Sequence, residues 1–228
     1  MQRLLLLHDL ELVPVIELAP SRFSSGTRPL PSGSRGEMPG EWGRYWSESL
    51  ADSGITGLRS LRPGSWHVPT SHLVDAPTLE KILRAIMRDR GGLEALSDPD
   101  TVFVLDGGLA LRCDTEVLVE PTCCSDLGNL TDWREAAGYR GMEWTLLWIG
   151  HPWLSVRSED GLLVLSGPHE SDSPVGRWAV SPDELRRALT AAEAGLEDFA
   201  RMLERALMSL GSGDRAEGLA RRLTGLIS

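Results

Sequence analysis

The sequence predicts an α+β domain, in which a mostly antiparallel sheet is flanked by helices and a long helix lies at the C-terminus. Three observations support this prediction. Short apolar segments separated by turn residues fill the middle of the chain, over residues 101–180. Segments with helical periodicity lie before and after them. The long crossover helices that would join successive parallel strands are missing, which disfavours a doubly wound α/β fold.

The N-terminal part of the chain is predicted to differ from the rest, so we divide the sequence into residues 1–45 and a single α+β domain over residues 46–228. Residues 11–18 are mostly apolar and predict a strand. Because Pro14 has no N–H to donate to a neighbouring strand, we expect this strand at a sheet edge. Residues 21–40 contain 12 Ser, Gly and Pro residues and no periodicity, which predicts a flexible loop.

Two helices are predicted before the sheet. Residues 41–50 carry three aromatic side chains at spacings of three and four, which places them on one helix face. Residues 77–90 have a continuous apolar stripe, Asp75 as a candidate N-cap, and Gly91-Gly92 as a stop signal.

The middle of the chain is predicted to contain a series of short strands. The Asp-Gly-Gly segment at residues 106–108 lies between apolar runs and predicts a hairpin turn. Residues 126–137 predict a loop followed by a helix that carries Trp133. If Trp144 and Trp148 share a strand, their even spacing places them on the same face. The predicted strands are residues 101–105, 109–113, 116–119, 144–149, 153–157, 162–166 and 177–180.

The C-terminal helix has the clearest signal. Ser181-Pro182-Asp183-Glu184 combines an N-cap, a proline at the first helical position and a glutamate three residues after the cap, the pattern of a capping box. Apolar residues then repeat at alternating spacings of four and three through residues 185–210, which predicts a heptad seam. That seam can pack on the same chain or pair with a second copy, so homo-oligomerisation through residues 185–210 is an open alternative. Residues 216–227 predict a final short amphipathic helix.

Composition limits the classes of partner. The chain has 33 acidic and 23 basic residues, a formal net charge of −10. Because nucleic-acid affinity depends on Lys and Arg that neutralise phosphates, we expect no nucleic-acid partner. An anionic membrane surface would also repel the chain, whereas a basic protein would be attracted. No run of 18 apolar residues and no secretory signal pattern is present, so we expect a cytoplasmic protein. Lysine is almost absent and arginine replaces it, which is typical of GC-rich bacterial coding sequences.

Common catalytic and cofactor motifs are missing from the sequence. It contains no glycine-rich phosphate-binding loop, no dinucleotide fingerprint and no Gly-x-Ser-x-Gly elbow. Cys113, Cys123 and Cys124 lack the paired spacing of a zinc site, and an odd number of cysteines does not suggest a disulfide framework. We therefore expect neither a cofactor nor a metal.

A family resemblance covers about 45 of the 228 residues. The order of parts is Trp144, then Ile149-Gly150 after four residues, a strand, an acidic turn that ends at Gly161, a second strand, Trp178-Ala179-Val180-Ser181 and a helix. This order resembles the C-terminal half of the SUKH superfamily of bacterial immunity proteins. The resemblance implies an α+β domain that binds and neutralises a cognate toxin, often a nuclease.

The leading hypothesis is a non-enzymatic bacterial protein that works by binding another protein. In its narrower form, it is an immunity protein that blocks a cognate toxin, whose basic surface the acidic chain would attract. The candidate contact residues lie in or beside predicted turns and are Trp153, Glu159, Asp160, Glu170 and Asp172.

Two alternatives stay open. One is an enzyme of unassigned class with an acid and histidine site beside the sheet, formed from Asp114, Glu116, Asp126 or His151. The other is a structural assembly protein that oligomerises through the C-terminal helix.

Overall fold

The computed structural model describes residues 4–88, 90–92 and 103–226. Over those residues the chain forms nine β-strands and six α-helices, which confirms the α+β class and the long C-terminal helix. The strands are β1 (Leu5–Leu6), β2 (Leu10–Glu17), β3 (His67–Pro69), β4 (Gly107–Cys113), β5 (Glu116–Val119), β6 (Thr145–Leu147), β7 (Leu154–Glu159), β8 (Leu162–Ser166) and β9 (Gly176–Val180). The helices are α1 (Pro20–Phe23), α2 (Pro39–Asp52), α3 (Ala76–Arg88), α4 (Leu130–Gly138), α5 (Pro182–Ser209) and α6 (Ala216–Leu223).

The chain divides into two compact units. Unit 1 comprises residues 1–14 and 106–195, and unit 2 comprises residues 15–105 and 196–228. The boundaries fall within β2 and α5 rather than in a linker. Tyr45, at which the sequence suggested a change of organisation, lies inside α2 of unit 2.

Sheet A belongs to unit 1 and has the strand order β1-β9-β8-β7-β6. β1 pairs with β9 in parallel, and the other neighbours are antiparallel, so the sheet is mixed. β8 has the bounds that the sequence predicts, and β9 begins one residue earlier. β6 is shorter than predicted, so Trp144 and Trp148 flank that strand rather than share it.

Sheet B is antiparallel and has the strand order β3-β2-β4-β5. The prediction that the strand containing Pro14 lies at a sheet edge is therefore wrong, because β2 has a neighbour on each side. Pairing with β3 covers only Val15–Glu17 of β2, opposite His67–Pro69. Pro14 lies just outside this ladder, so the β3 side does not require its missing N–H. The edge strand near the N-terminus is β1 of sheet A.

The predicted hairpin at residues 106–108 is also wrong. Residues 103–105 are not in a strand, and residues 101–102 lie outside the described residues. The two glycines instead begin β4, and the hairpin joins β4 to β5 through Asp114-Thr115. Asp114 adopts a left-handed φ of 52°, a conformation that Asp tolerates better than most residues.

Gly108 has a packing role at the start of β4. Its φ is +139°, and a Cβ there would lie 2.7 Å from Asn129 Nδ2 and 3.0 Å from Ser125 Oγ. The absence of a side chain lets Asn129 approach, and its Oδ1 accepts a buried hydrogen bond from Leu109 N–H at 3.1 Å. The Asp-Gly-Gly segment thus reflects close tertiary packing rather than a turn.

Helices α2 and α3 agree with the sequence predictions, but most of α1 and the start of α2 lie in residues that were predicted to form a loop, 21–40. Asp75 Oδ1 accepts a hydrogen bond from Thr78 N–H at 2.9 Å, which confirms Asp75 as the cap of α3. Trp46 of α2 is buried, and its Nε1 donates to Leu18 O at 2.9 Å. Residues 24–38 contain no helix or strand, but an ion pair between Arg28 and Asp52 of α2, at 2.8 Å, anchors them.

The apolar seam of α5 is buried within the chain. Seven of its eight predicted members are buried, and the eighth, Leu210, is half-buried. The seam itself is therefore not available to a second copy. The capping prediction is confirmed in part, because Ser181 Oγ accepts from Asp183 N–H at 3.3 Å. Glu184, however, accepts a hydrogen bond from Asp9 N–H of unit 1 instead of returning to the cap. Among the described helices, none combines the length and the apolar composition needed to cross a membrane.

Candidate functional site

The two faces of sheet A have different compositions. The pairing registers place eight apolar residues on one face, here called the inner face. Leu5 of the edge strand β1 is exposed, and the other seven are buried. The buried residues are Leu147, Leu154, Val156, Leu163, Leu165, Trp178 and Val180. The opposite side, here called the outer face, carries Leu6, Leu146, Ser155, Arg157, Val164 and Ala179. On this face β7 contributes polar side chains and the other strands contribute apolar ones. Ser155, Val164 and Ala179 are buried, whereas Leu6 and Leu146 are exposed.

An aromatic ring and a guanidinium cover the middle of the outer face. The Arg157 guanidinium carbon lies 4.8 Å from the centre of the Trp144 ring. A Cβ at Gly176 would lie 2.9 Å from Val164 and 3.7 Å from Trp144, so the ring spreads across the neighbouring strands. Stacking a guanidinium on an indole is a favourable contact at a partly exposed site. The half-buried Trp144 ring and the exposed Leu146 thus both lie on this face.

A groove of about 620 Å³ opens at the β7–β8 turn end of this face. Arg157 pairs with Glu159 at 2.6 Å, while Arg157 Nε is buried and has no hydrogen-bond partner within the described residues. Met142 is 79% exposed at the rim. The groove therefore combines two apolar side chains, Met142 and Trp144, with three acids and two arginines. Its lining residues are Arg140, Met142, Glu143, Trp144, Arg157, Ser158, Glu159 and Asp160.

A second aromatic cluster lies at the other end of β7. His151 lies 5.1 Å from Trp148 and 5.0 Å from Trp153, and Trp153 lies 6.0 Å from His169, all centre to centre and edge-on. Trp153 and His169 also form an isolated backbone bridge. This bridge fixes the loop that follows β8 beside the start of β7.

Ser155 and His169 form a hydrogen-bonded pair in this cluster. His169 Nδ1 lies 2.9 Å from Ser171 O and therefore carries the proton, so Nε2 accepts from Ser155 Oγ at 2.9 Å. A serine and histidine in this arrangement resemble a nucleophile and its base. Ser155 is only 6% exposed, however, and its N–H already donates to Ser166 Oγ. The pair fastens the loop to β7 and does not offer an accessible nucleophile.

The predicted contact residues do not form one cluster. Trp153 is half-buried in the aromatic cluster, and Glu170 and Asp172 are exposed in the following β8–β9 loop. Glu159 and Asp160 are exposed at the opposite end of β7. A six-residue strand spans about 17 Å, which is the approximate separation of the two ends.

The residues of the enzyme alternative also lie apart. Asp114 and Glu116 belong to the β4–β5 hairpin, Asp126 caps the turn before α4, and His151 pairs with Cys123. In the described part of the chain, these four side chains make no hydrogen bond with one another. Within the same residues, no group of three or more His, Cys, Asp or Glu side chains is placed to hold a metal ion.

The negative charge is concentrated in unit 1. Its residues include 17 Asp and Glu and 8 Arg, a net charge of −9, whereas unit 2 has 16 acidic and 15 basic residues, a net charge of −1. Several exposed acids of unit 1 have no ion-pair partner among the described residues, and four of these lie near the outer face: Glu143, Asp160, Glu170 and Asp172. Two of them border each end of the outer face.

The contact residues selected from the sequence include acids at both ends of the outer face but no residue at its centre. Trp144, Leu146 and Arg157 were not selected as contact residues. The alternation of Ser155, Arg157 and Glu159 along β7 is the signal that could have identified a polar face. Without the pairing register, that alternation does not show which neighbouring side chains share the face.

One acidic residue near this unit's core affects stability in a pH-dependent way. Burial raises the pKa of the Asp126 carboxyl, and the Asp106 carboxylate raises it further, although Gly128 N–H opposes both effects by donating to Asp126 Oδ1 at 2.8 Å. A raised pKa means that the native state binds the proton more tightly than the unfolded state. The associated stability is full below the ordinary Asp pKa and is lost as the pH rises through the native value.

We expect Asp126→Asn to stabilise the protein at pH 8, because asparagine keeps the acceptor for Gly128 N–H and removes the charge. The expected rise in Tm is about 2–4 °C at pH 8 and close to zero at pH 4. Thermal unfolding of both proteins at the two pH values checks this. A variant that is less stable than the wild type at pH 8 would contradict it.

Comparison with known proteins finds no relative of the chain. No protein-family model, no curated protein and no solved structure matches the chain.

Proposed function

We propose that this protein acts by binding a basic protein through the outer face of sheet A. In its narrower form, the proposal is that the partner is a toxin and that binding neutralises it by covering its active surface. The concentration of net charge in unit 1, −9 out of −10, is the observation that carries the proposal. Such a field attracts a basic partner and raises its rate of association.

The arrangement of the outer face supports an interface. Protein interfaces have an apolar and aromatic centre with a polar rim, and tryptophan and arginine are enriched in their centres. Here Trp144 and Arg157 form the centre, with Leu146 53% exposed beside them. Unpaired acids lie at both ends, at Asp160 and Asp172.

The dimensions also suit one partner. A standard interface buries about 800 Å² on each side, a patch roughly 30 Å across. The two acidic ends of β7 are about 17 Å apart and fit within that patch. The contact residues selected from the sequence can therefore reach the same partner from two ends of the face.

The toxin-neutralising form rests on the residue pattern between Trp144 and Leu189. That pattern resembles a family of immunity proteins whose members bind cognate toxins, often nucleases. A nuclease surface must attract phosphates and is therefore basic, which suits an acidic inhibitor. The mechanism is steric blocking, assisted by electrostatic attraction, and requires no chemical step.

We expect removal of two exposed charges to weaken the complex without affecting the fold. Asp160→Asn combined with Asp172→Asn should lower the affinity for the partner roughly 3- to 10-fold, mainly through the association rate. Asparagine suits position 160 because Asp160 has a left-handed φ of 50°. Isolating the partner from source cells with wild-type bait, followed by kinetic measurement with the purified pair, gives the comparison.

The matched control is Glu41→Gln combined with Asp214→Asn, which removes two exposed acids from unit 2. This control should bind like the wild type. Equal weakening by both double variants would show that only total charge matters and would reject the outer face as the site. An isolated partner that is acidic would reject the electrostatic argument itself.

A further inference from the structure

Two adjacent thiols are exposed at one point on unit 1. Cys123 and Cys124 are both free and exposed, and the backbone of Cys123 is fixed by a bridge to His151, whose N–H donates to Cys123 O at 3.0 Å. The Cys123 thiol itself lies 3.4 Å from His151 O. The remaining cysteine, Cys113, is half-buried, and its thiol donates to His8 O at 3.2 Å.

The backbone at the second cysteine departs from an extended strand. Neighbouring side chains of an extended chain point to opposite sides. Cys124 has a left-handed φ of 67°, which interrupts this alternation directly after the bridged Cys123. The Cα atoms of adjacent residues are about 3.8 Å apart, so both thiols are carried at one point of the surface. The local fold thus builds a pair of sulfur ligands on a fixed segment.

The geometry selects among ligands that bind sulfur. A structural zinc site needs four ligands, and no third His, Cys, Asp or Glu joins this pair within the described residues. A disulfide favours Cα atoms about 4.4–6.8 Å apart, but adjacent residues are only about 3.8 Å apart, so oxidation would create a strained bond. A trivalent organoarsenical requires only two protein sulfurs, because carbon already occupies its third position.

We propose that Cys123 and Cys124 form a dithiol site for trivalent organoarsenicals. In the reaction, a monosubstituted arsenic oxide forms two As–S bonds, the two S–H bonds break, and the oxygen leaves with both protons as water. Arsenic remains trivalent, so neither an oxidant nor a reductant is needed. Close sulfurs suit the bent geometry at arsenic better than the linear two-sulfur geometry of mercury(II).

The electrostatics of the site are consistent with this preference. The Cys123 thiol raises the pKa of Cys124 by hydrogen bonding and by its charge, and partial burial and Asp106 raise it further. Alkylation at sulfur depends on the thiolate, so Cys124 is disfavoured as a nucleophile at neutral pH. Condensation with an arsenic oxide consumes both thiol protons as water, so the overall reaction of a protonated dithiol releases no net charge.

Phenylarsine oxide is the probe for this site. We expect one arsenical per wild-type chain by intact-protein mass spectrometry, retained in excess monothiol and removed by a small dithiol. Cys123→Ser and Cys124→Ser should each weaken binding by about 100-fold or more, because a single thiol loses the effective concentration of the second. Cys113→Ser should bind like the wild type, and circular dichroism verifies the fold of each variant.

A measurement on the unmodified sequence tests the same site independently of the variants. After treatment and removal of excess probe, a thiol titration of the unfolded chain should find one free thiol of the three. Undiminished binding by Cys123→Ser or Cys124→Ser would overturn the proposal. Loss of binding in Cys113→Ser, or three free thiols after treatment, would also overturn it.

Discussion

Replacing Gly150 with alanine is expected to destabilise the protein by about 3–5 kcal/mol, through overpacking together with backbone strain. Gly150 has φ +101°, and a Cβ there would lie 2.4 Å from Cys123 O and 2.6 Å from both Thr122 O and Thr122 Oγ1. The first two obstacles are backbone atoms, so rotation of a side chain cannot relieve the clash. Urea unfolding followed by tryptophan fluorescence measures the loss.

The segments that meet at Gly150 are tied by several hydrogen bonds. Thr122 N–H donates to Ile149 O at 2.7 Å, and His151 N–H donates to Cys123 O at 3.0 Å. A methyl group at position 150 would have to break this pairing or displace both segments.

Gly161→Ala is the matched control. Gly161 has φ +79°, but a Cβ there would meet nothing within 4 Å. Only backbone strain remains, so we expect a loss of about 1–2 kcal/mol. Equal losses at the two positions would mean that close packing around Gly150 is not what requires glycine.

The second large effect is expected at Trp133. This side chain of α4 is fully buried, and Trp133→Ala should cost about 3–5 kcal/mol through lost apolar contacts and the resulting cavity. Chemical unfolding is again the measurement. A loss below about 2 kcal/mol would indicate that the surrounding residues close the cavity, contrary to the packing described here.

Tryptophan-to-phenylalanine substitutions separate ring packing from hydrogen bonding. Trp133 Nε1 is buried and has no partner among the described residues, whereas the equally buried Trp46 donates to Leu18 O. Trp133→Phe removes an unsatisfied donor, but Trp46→Phe leaves a buried carbonyl unpaired. We therefore expect Trp46→Phe to cost about 1–3 kcal/mol more. The reverse order would contradict this assignment of donors.

Elements determined by local interactions were predictable from the sequence. Asp75 caps α3 as predicted, and β8 has the predicted bounds. The start of α5 also follows from Ser181-Pro182. At the two helix starts, residues within four positions of one another fix the structure, and β8 begins directly after the tight turn at Asp160-Gly161. One sequence contains this local information.

Features determined by distant contacts were not predictable. Pro14 suggested an edge strand, but short partners allow β2 to lie inside sheet B. Gly107-Gly108 suggested a turn, but Asn129, some 20 residues later, requires the small residue. Similarly, the Glu184 carboxylate accepts a hydrogen bond from the backbone N–H of Asp9, at the far end of the sequence, rather than from its own helix cap. Local propensity cannot anticipate such contacts.

The candidate site was predictable at its ends only. Turn residues and acidic composition identified Glu159, Asp160, Glu170 and Asp172, all of which are exposed. The central Trp144 emerged only from the pairing of five strands, because that pairing decides which side chains share the outer face. Likewise, the charge difference between units depends on a division that is discontinuous in sequence.

The proposed binding function lies on one surface of unit 1. The inner face of sheet A supplies the apolar core, and the outer face presents Trp144 and Arg157 between two acidic ends. Because the α5 seam is buried within the chain, we propose the outer face as the surface that binds a partner.

Site-specific photo-crosslinking tests this claim most directly. A benzophenone amino acid at Leu146, 53% exposed on the outer face, is compared with the same probe at Met208, 58% exposed in unit 2. Both proteins are irradiated in lysate of the source cells. We expect the probe at position 146 to crosslink one basic protein, with a lower yield of the crosslinked product at high salt. The probe at position 208 should not crosslink that protein. Equal crosslinking from both positions, or capture of the partner only from position 208, would contradict the claim.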